Sequence, residues 1–266
     1  MRINRYLAAC GLGSRRACEE LVLAGRVEIN GNAVLELATE VPSDAFVTCD
    51  GRMVEPPDRC HVVMFHKPKG CVCARRDPQG RTTIYDLLPP HFLRLVHVGR
   101  LDFASRGLLI LTDDGEVVDR LTHPRYEHPK VYRVLIDAPL AHEDRQKLVK
   151  GGWTLEDEPR PLEPVGVKGD GVSLELTLKE GRNRQIRRMM AAMGRDVLDL
   201  QRTSVGEWRL SGLEEGTWKL LPDEEWRSLR QSLGLPRNMG TQSPKPAPGR
   251  SSSPPTRSSS RDRGSR

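Results

Sequence analysis

The sequence predicts an α+β fold, on three observations. Helical and strand periodicities occupy separate segments, without the regular strand-helix alternation of a parallel α/β protein. The clearest strand, VSLELTLKEG, puts Leu174, Leu176 and Leu178 on one face and Glu175, Thr177 and Lys179 on the other, the pattern of an antiparallel strand wetted on one side. EPPD, at residues 55–58, reads as a linker after a compact helix-and-hairpin stretch. The expected organisation is a small N-terminal domain over residues 1–60 and a larger domain over residues 61–235, followed by a basic tail over residues 236–266. The larger domain is expected to hold a mostly antiparallel mixed sheet with flanking helices.

The chain opens with a short helix over residues 4–9 and a GLG turn. Ser14 starts a second helix, where its hydroxyl can accept from unpaired first-turn amides, and Ala17, Leu21 and Ala24 recur at helical spacing before Gly25. RVEINGNAV alternates around Asn30-Gly31, a pair that tolerates the left-handed backbone of a two-residue hairpin turn. RCHVVMFHKPKG predicts a strand running into a turn at residues 67–70. LVHVGRLD and GLLILT predict two more strands, and GEVVDRLTHP a helix that its proline ends. VYRVLI is a further alternating strand. RNRQIRRMMAAMG lines up Ile186, Met189, Met190 and Met193 before Gly194, and DEEWRSLRQSLG lines up Trp226, Leu229 and Leu233; both stripes predict core helices.

Composition narrows the function classes. From Pro236 onward seven basic residues stand against one acidic residue, a surplus of six that accounts for the whole net charge of +6, so the preceding chain is neutral. Any nucleic-acid surface on the folded part must come from local clustering. The tail is dense in Pro, Ser, Gly and Arg and poor in apolar residues, which predicts disorder and a sequence-independent attraction to phosphates. The six cysteines include no CxxC pair and are expected to be buried, reduced thiols. Cys71 and Cys73 would share one face of a strand, but no histidine or third cysteine stands at ligand spacing, so no metal is expected. Apolar runs fall far short of the roughly 18 residues of a membrane span, and the first residues lack a signal-peptide hydrophobic region. A soluble cytoplasmic protein is expected. Walker, GxGxxG, HExxH and GxSxG patterns do not occur, which removes the usual markers of nucleotide hydrolysis, redox, zinc peptidase and serine hydrolase chemistry.

The candidate reagent lies in GRLDFASRGLLILTDDG, residues 99–115. Asp113 and Asp114 sit between a strand and a helix, where aspartate caps and tightens turns. Asp102 instead occupies a short loop between two apolar runs, and spacing alone leaves it open to the same structural reading. A second cluster, Arg182, Arg184, Arg187 and Arg188, holds four arginines without an acid at the start of a helix, where backbone amides also attract phosphate.

Two resemblances carry these residues further. LAACGLGSRRACEELVLAGRVEINGNAV resembles the S4 RNA-binding domain, which implies that Arg15 and Arg16, with Arg26 beside the hairpin, face RNA. FHKPKG, RTTIYDLLP, GRLDFASRGLLILTDDG, KVYRV and EGRNRQIRRMMAAMG, in that order, resemble the RsuA/RluB family of bacterial ribosomal-RNA pseudouridine synthases. The resemblance implies a cofactor-free isomerisation in which the N1–C1′ bond of uridine breaks, the base turns over and C5 joins C1′. It implies that Asp102 is the essential carboxylate, acting by nucleophilic attack or by assisting a glycal-forming elimination. Arg187 is implied to pair with Asp102 and keep it ionised, and Tyr132 to lie against the target base. Arg100 is implied to hold RNA around the everted nucleotide. Arg182, Arg184 and Arg188, with Lys67 and Lys69, are candidates for backbone contact. Ala104 and Arg106 depart from relatives, which often show smaller polar residues around the intervening serine.

The expected partner is ribosomal RNA or a ribosome-subunit assembly intermediate, met by a monomer away from any membrane. The RRDPQGR segment, the N-terminal module and the tail favour 23S over 16S rRNA. Two rivals remain at this point. A non-catalytic RNA-binding protein would be indifferent to Asp102→Asn. A glycosidase or nucleoside hydrolase would need a second carboxylate across the bond, and no other acid has a claim.

Overall fold

A computed structural model describes residues 1–57, 59–156 and 158–237. Its N-terminal part holds α1 (Ile3–Ala9), α2 (Arg15–Leu23), β1 (Val27–Ile29), β2 (Asn32–Ala33), β3 (Val47–Cys49) and β4 (Arg52–Met53). The four strands form an antiparallel sheet in the order β2-β1-β3-β4. Ser14 Oγ accepts the Ala17 amide at 3.2 Å, capping α2. Asn30 and Gly31, at φ 51° and 80°, make the hairpin turn. The stripe expected on α2 is displaced by one position: Cys18 and Val22 are the buried residues, packed with Ile3, Leu7, Val27 and Val47. Ala17 and Ala24 offer little apolar area, so the larger side chains of the neighbouring stripe set the packing.

The larger part comprises β5 (Val62–Lys67), β6 (Val96–Val98), β7 (Arg106–Thr112), α3 (Gly115–Thr122), β8 (Lys130–Ile136), α4 (His142–Lys150), β9 (Gly166–Lys168), β10 (Ser173–Leu178), α5 (Gln185–Ala192), β11 (Val197–Val205), β12 (Trp208–Arg209), β13 (Trp218–Leu220) and α6 (Asp223–Ser232). Its sheet runs β13-β5-β7-β11-β8-β10-β9, with β6 on β7 and β12 on β11. The β7–β11 ladder is parallel and the others are antiparallel, which makes the sheet mixed but mostly antiparallel.

Burial explains why some strands alternate in sequence and others do not. On β5 and β7, Met64, Leu108 and Ile110 face α3 and α6, whereas Phe65, Leu109 and Leu111 face Ile84, Tyr85 and Phe92. Covered on both sides, these strands need continuous apolar runs. On β8 and β10 only one face is covered, by α5 through Ile186, Met189 and Met190, so their sequences alternate. The helix α4 escaped the sequence reading because Leu148 is its one buried residue.

At Gly107 (φ 121°), β7 passes so close to β11 that an added Cβ would lie 2.3 Å from the Arg202 carbonyl oxygen. Only glycine permits this approach, which brings Arg202 under the loop that carries Asp102.

Cys73 and Cys71 lie in the core beyond the end of β5 rather than on a strand, and Cys73 Sγ accepts the Leu101 amide at 3.4 Å. No helix among the described residues is long and apolar enough to cross a membrane. Apart from Pro236 and Arg237, the tail expected from residue 236 lies outside the described residues.

Candidate active site

Asp102 sits between β6 and β7 and lines a cavity of about 590 Å³ together with Arg100, Ser105, Lys130, Tyr132 and Arg202. That volume suits a nucleotide-sized ligand. Among the described residues the Asp102 side chain makes no hydrogen bond or ion pair, unlike Asp50, Asp77, Asp114 and Asp199, whose carboxylates are all engaged. An open carboxylate in a cavity is free to act on a ligand.

Its backbone is the opposite of free. Each carbonyl from Arg100 to Ser105 has a donor: Arg202 Nη1 to Arg100 (3.5 Å), Cys73 Sγ to Leu101 (3.5 Å), Lys67 Nζ to Asp102 (3.1 Å), Gly70 N–H to Phe103 (2.9 Å), Arg187 Nη2 to Ala104 (3.0 Å) and Lys67 Nζ to Ser105 (2.8 Å). A loop tied at every residue places its carboxylate without reorganisation, the condition for efficient catalysis.

Lys67 is therefore a brace and not the RNA contact expected from sequence. It is fully buried, its Nζ donates also to the Pro68 carbonyl at 2.9 Å, and burial pushes its pKa below the usual lysine value. Lys67→Met should leave the carbonyls it serves without their donor, lowering stability by at least ~2 kcal/mol and activity by more than the lost folded fraction accounts for. Denaturant titration beside turnover per folded molecule measures both effects.

Arg187 stands beside Asp102 but makes no ion pair within 4 Å with it. It donates to the Val197 and Ala104 carbonyls, each at 3.0 Å, and its Nε is buried without a partner. Burial and Arg184 push its pKa down, while the negative charges of Asp102 and Asp199 push it back. The expected pairing thus becomes a clamp on the loop two residues past the carboxylate, because the orphan carbonyls claim the guanidinium first.

The arginine cluster is not acid-free in three dimensions. Arg182, with its side chain 5% exposed, pairs with Glu158 and Glu180, each at 2.9 Å, and Arg188 pairs with Glu158 at 3.2 Å. Glu158 comes from the loop before β9, where a local count could not find it, whereas Glu180, just past β10, stands immediately ahead of the Gly181–Arg182 step at the edge of the arginine run. Arg182 braces the 158–161 segment through the Arg160 and Pro161 carbonyls instead of meeting phosphate. Arg184, in left-handed backbone at the N-cap of α5, and Arg100 remain exposed on the cavity rim without an ion pair among the described residues.

Lys69 is half exposed and bonded to Asp199 at 2.6 Å, and Arg106 joins the same carboxylate at 2.8 Å. Burial alone would raise the Asp199 carboxyl, but hydrogen bonds from Arg106 and Lys69 hold it at about 2. A carboxyl that titrates lower when folded than unfolded favours the fold above pH ~4, and that contribution fades as pH falls towards the folded value. Asp199→Asn should lower stability at neutral pH and flatten the acid limb of a plot of denaturation midpoint against pH.

In the N-terminal part, Arg15 and Arg16 are exposed at the start of α2. Arg26 is engaged by both oxygens of Asp50, at 2.8 and 2.6 Å, which leaves it poorly placed for phosphate. Tyr132 reaches the cavity from β8 and packs against the cores on both sides. Sequence reading missed Ser105 and Arg202. Arg202 is a buried cation in the alternating strand LDLQRTSV, which is itself an unusual position for a charge.

Comparison with known proteins accords with this geometry. Residues 61–192 match the RNA pseudouridylate synthase family and residues 1–47 the S4 domain. The chain is 37% identical to an RNA pseudouridine synthase of Aquifex aeolicus, over 88% of this chain and 96% of that one. It is 34% identical to the ribosomal large subunit pseudouridine synthase B of Bacillus subtilis, over 86% and 95%. A crystal structure of a pseudouridylate synthase superposes with a TM-score of 0.63 at 29% identity, covering 86% of this chain and 99% of that one. The chain belongs to the pseudouridine synthase family, as an RNA-modifying isomerase that carries an S4 domain ahead of its synthase domain.

Proposed function

We propose that this enzyme converts uridine to pseudouridine in large-subunit ribosomal RNA, with Asp102 as the reagent. The observation that carries the reading is an unengaged carboxylate on a loop held at every carbonyl, facing a nucleotide-sized cavity beside Tyr132. The uridine leaves the RNA stack to enter, at a cost that Arg100 and Arg184 on the rim offset by holding phosphate. Tyr132 offers its face to uracil. The N1–C1′ bond then breaks while Asp102 either bonds to C1′ or assists loss of the C2′ proton. After the base turns, C5 joins C1′ as the Asp102–C1′ bond breaks or the proton returns to C2′, and C5 then gives up its proton while N1 gains one.

Relatives named for the ribosomal large subunit, including those of Bacillus subtilis and Haemophilus influenzae, support 23S rRNA as the target. Residues 1–60 would grip RNA through Arg15 and Arg16, residues 61–235 would do the chemistry, and a cytoplasmic monomer acting on rRNA or an assembly intermediate completes the proposal. Mapping pseudouridines in rRNA from cells lacking the gene tests it. One missing site in 23S rRNA is the expected result; a site lost from 16S rRNA overturns the target, and an unchanged map overturns the function.

A further inference from the structure

Four buried side-chain nitrogen or oxygen atoms lack a hydrogen-bond partner among the described residues: Asn4 Oδ1, Ser105 Oγ, Arg187 Nε and Arg202 Nη2. Two of the residues, Ser105 and Arg202, line the cavity that holds Asp102. An unsatisfied buried donor is costly, and it persists where a ligand completes it.

Arg202 is 3% exposed. Its Nε donates to the Leu108 carbonyl at 2.9 Å and its Nη1 to that of Arg100 at 3.5 Å, so the guanidinium is fixed with Nη2 unspent. On the β8–β11 ladder Arg202 stands opposite Tyr132, which puts both side chains on one face of the sheet. Lys130, two residues before Tyr132 on the same strand, shares that face and lines the same cavity. Its ammonium donates to the His128 and Lys179 carbonyls at 3.1 and 3.4 Å, and burial together with the Arg202 charge pushes its pKa down.

Neither cation has an acid within 4 Å among the described residues, although Glu158, Glu180 and Glu127 on the cavity wall are paired with other bases. A buried guanidinium and a partly buried ammonium without a counter-ion are unfavourable in the free protein. They become favourable when negative charge develops between them.

We infer that Arg202, assisted by Lys130, is a catalytic residue that takes up the negative charge of the detached uracil. The inference rests on the isomerisation proposed above. Heterolysis of N1–C1′ leaves the electron pair on the base, which becomes a uracil anion with charge shared over N1, O2 and O4. The electron-deficient C1′ is taken by the Asp102 carboxylate or relieved by loss of the C2′ proton. Charge on the base disappears when C5 bonds to C1′ as the Asp102–C1′ bond breaks or C2′ regains its proton, after which C5 loses its proton and N1 is protonated. The site therefore needs positive charge against the base only while the two halves are apart. Arg202 meets that need because it is rigid and buried beside Tyr132, whereas the phosphodiester chain stays at the exposed rim with Arg100 and Arg184.

The test compares single-turnover rates on an rRNA stem-loop carrying either uridine or 5-fluorouridine at the target position. The fluorinated base is the better leaving group and needs less help. Arg202→Gln should slow consumption of the uridine substrate by on the order of 10²–10³-fold and that of the fluorinated substrate by at least ~10-fold less. Lys130→Gln, nearer the solvent, should show the same selectivity with a smaller loss, and it keeps the test decisive if Arg202→Gln does not fold. Equal slowing of both substrates by Lys130→Gln and by any folded Arg202→Gln overturns the inference. So does a neutral methylphosphonate at the target nucleotide that removes the difference between variant and wild type, because the partner of Arg202 is then a phosphate. Failure of the wild-type enzyme to convert the uridine substrate counts instead against the underlying function.

Discussion

Asp102→Asn should lower isomerisation by on the order of 10³-fold or more while leaving the fold and RNA affinity intact. The asparagine amide matches the carboxylate in size but is a poor nucleophile and base. Folding should be indifferent because the Asp102 side chain has no partner to lose, and the loop is held through its carbonyls, which the substitution does not touch. A stability change within ~0.5 kcal/mol is expected, as for an exposed position. Binding to an rRNA stem-loop by gel shift, thermal melting and pseudouridine formation are the three measurements. Retained turnover in the variant would remove Asp102 from the chemistry. Retained binding without turnover separates this enzyme from a non-catalytic RNA clamp, and free uracil in the wild-type reaction would instead revive hydrolysis.

Much of this was legible in the sequence, for identifiable physical reasons. The alternating strands, the methionine stripe on α5 and the Trp226 stripe on α6 each encode one covered face, and periodicity reports a face directly. The Asn30-Gly31 turn and the Ser14 cap are local chemistry, so neighbouring residues suffice to find them. What escaped depends on partners far apart in the chain. Lys67 reaches the Ser105 carbonyl across 38 positions and Arg187 reaches that of Ala104 across 83, so a reading by segment assigned Lys67 to RNA and Arg187 to the Asp102 carboxylate instead of to the loop carbonyls. Arg182 looked free because Glu158 lies 24 residues away and its other partner, Glu180, stands just outside the run of arginines. Cations were thus easy to find from sequence, but their commitments were not, and in this protein the commitments decide which charges remain for RNA.

Asp114→Ala should be the most destabilising single change considered, costing about 3–5 kcal/mol because it removes the buried one of the two carboxylates that hold Arg230 and leaves the partly exposed Glu116, at 2.7 Å, as its remaining counter-ion. Sequence assigned Asp114 a helix-capping role, and its Oδ1 does accept the Glu116 and Val117 amides at 3.0 and 3.2 Å. Its Oδ2, however, accepts from Trp226 Nε1 at 3.1 Å and Arg230 Nη1 at 2.6 Å, with Asp114 and Arg230 only 0% and 1% exposed. One carboxylate therefore starts α3 and docks α6 onto it. Loss of a cap alone costs ~1 kcal/mol, so the size of the effect separates the two roles. For a domain of this size the expected loss corresponds to a melting temperature lower by roughly 10 °C. Replacing Arg230 and Asp114 together by apolar residues should recover much of it, since the two buried charges are then gone and the released Glu116 is exposed enough to be solvated. A double variant no more stable than Asp114→Ala would show that the charge pair is not what holds α6 in place.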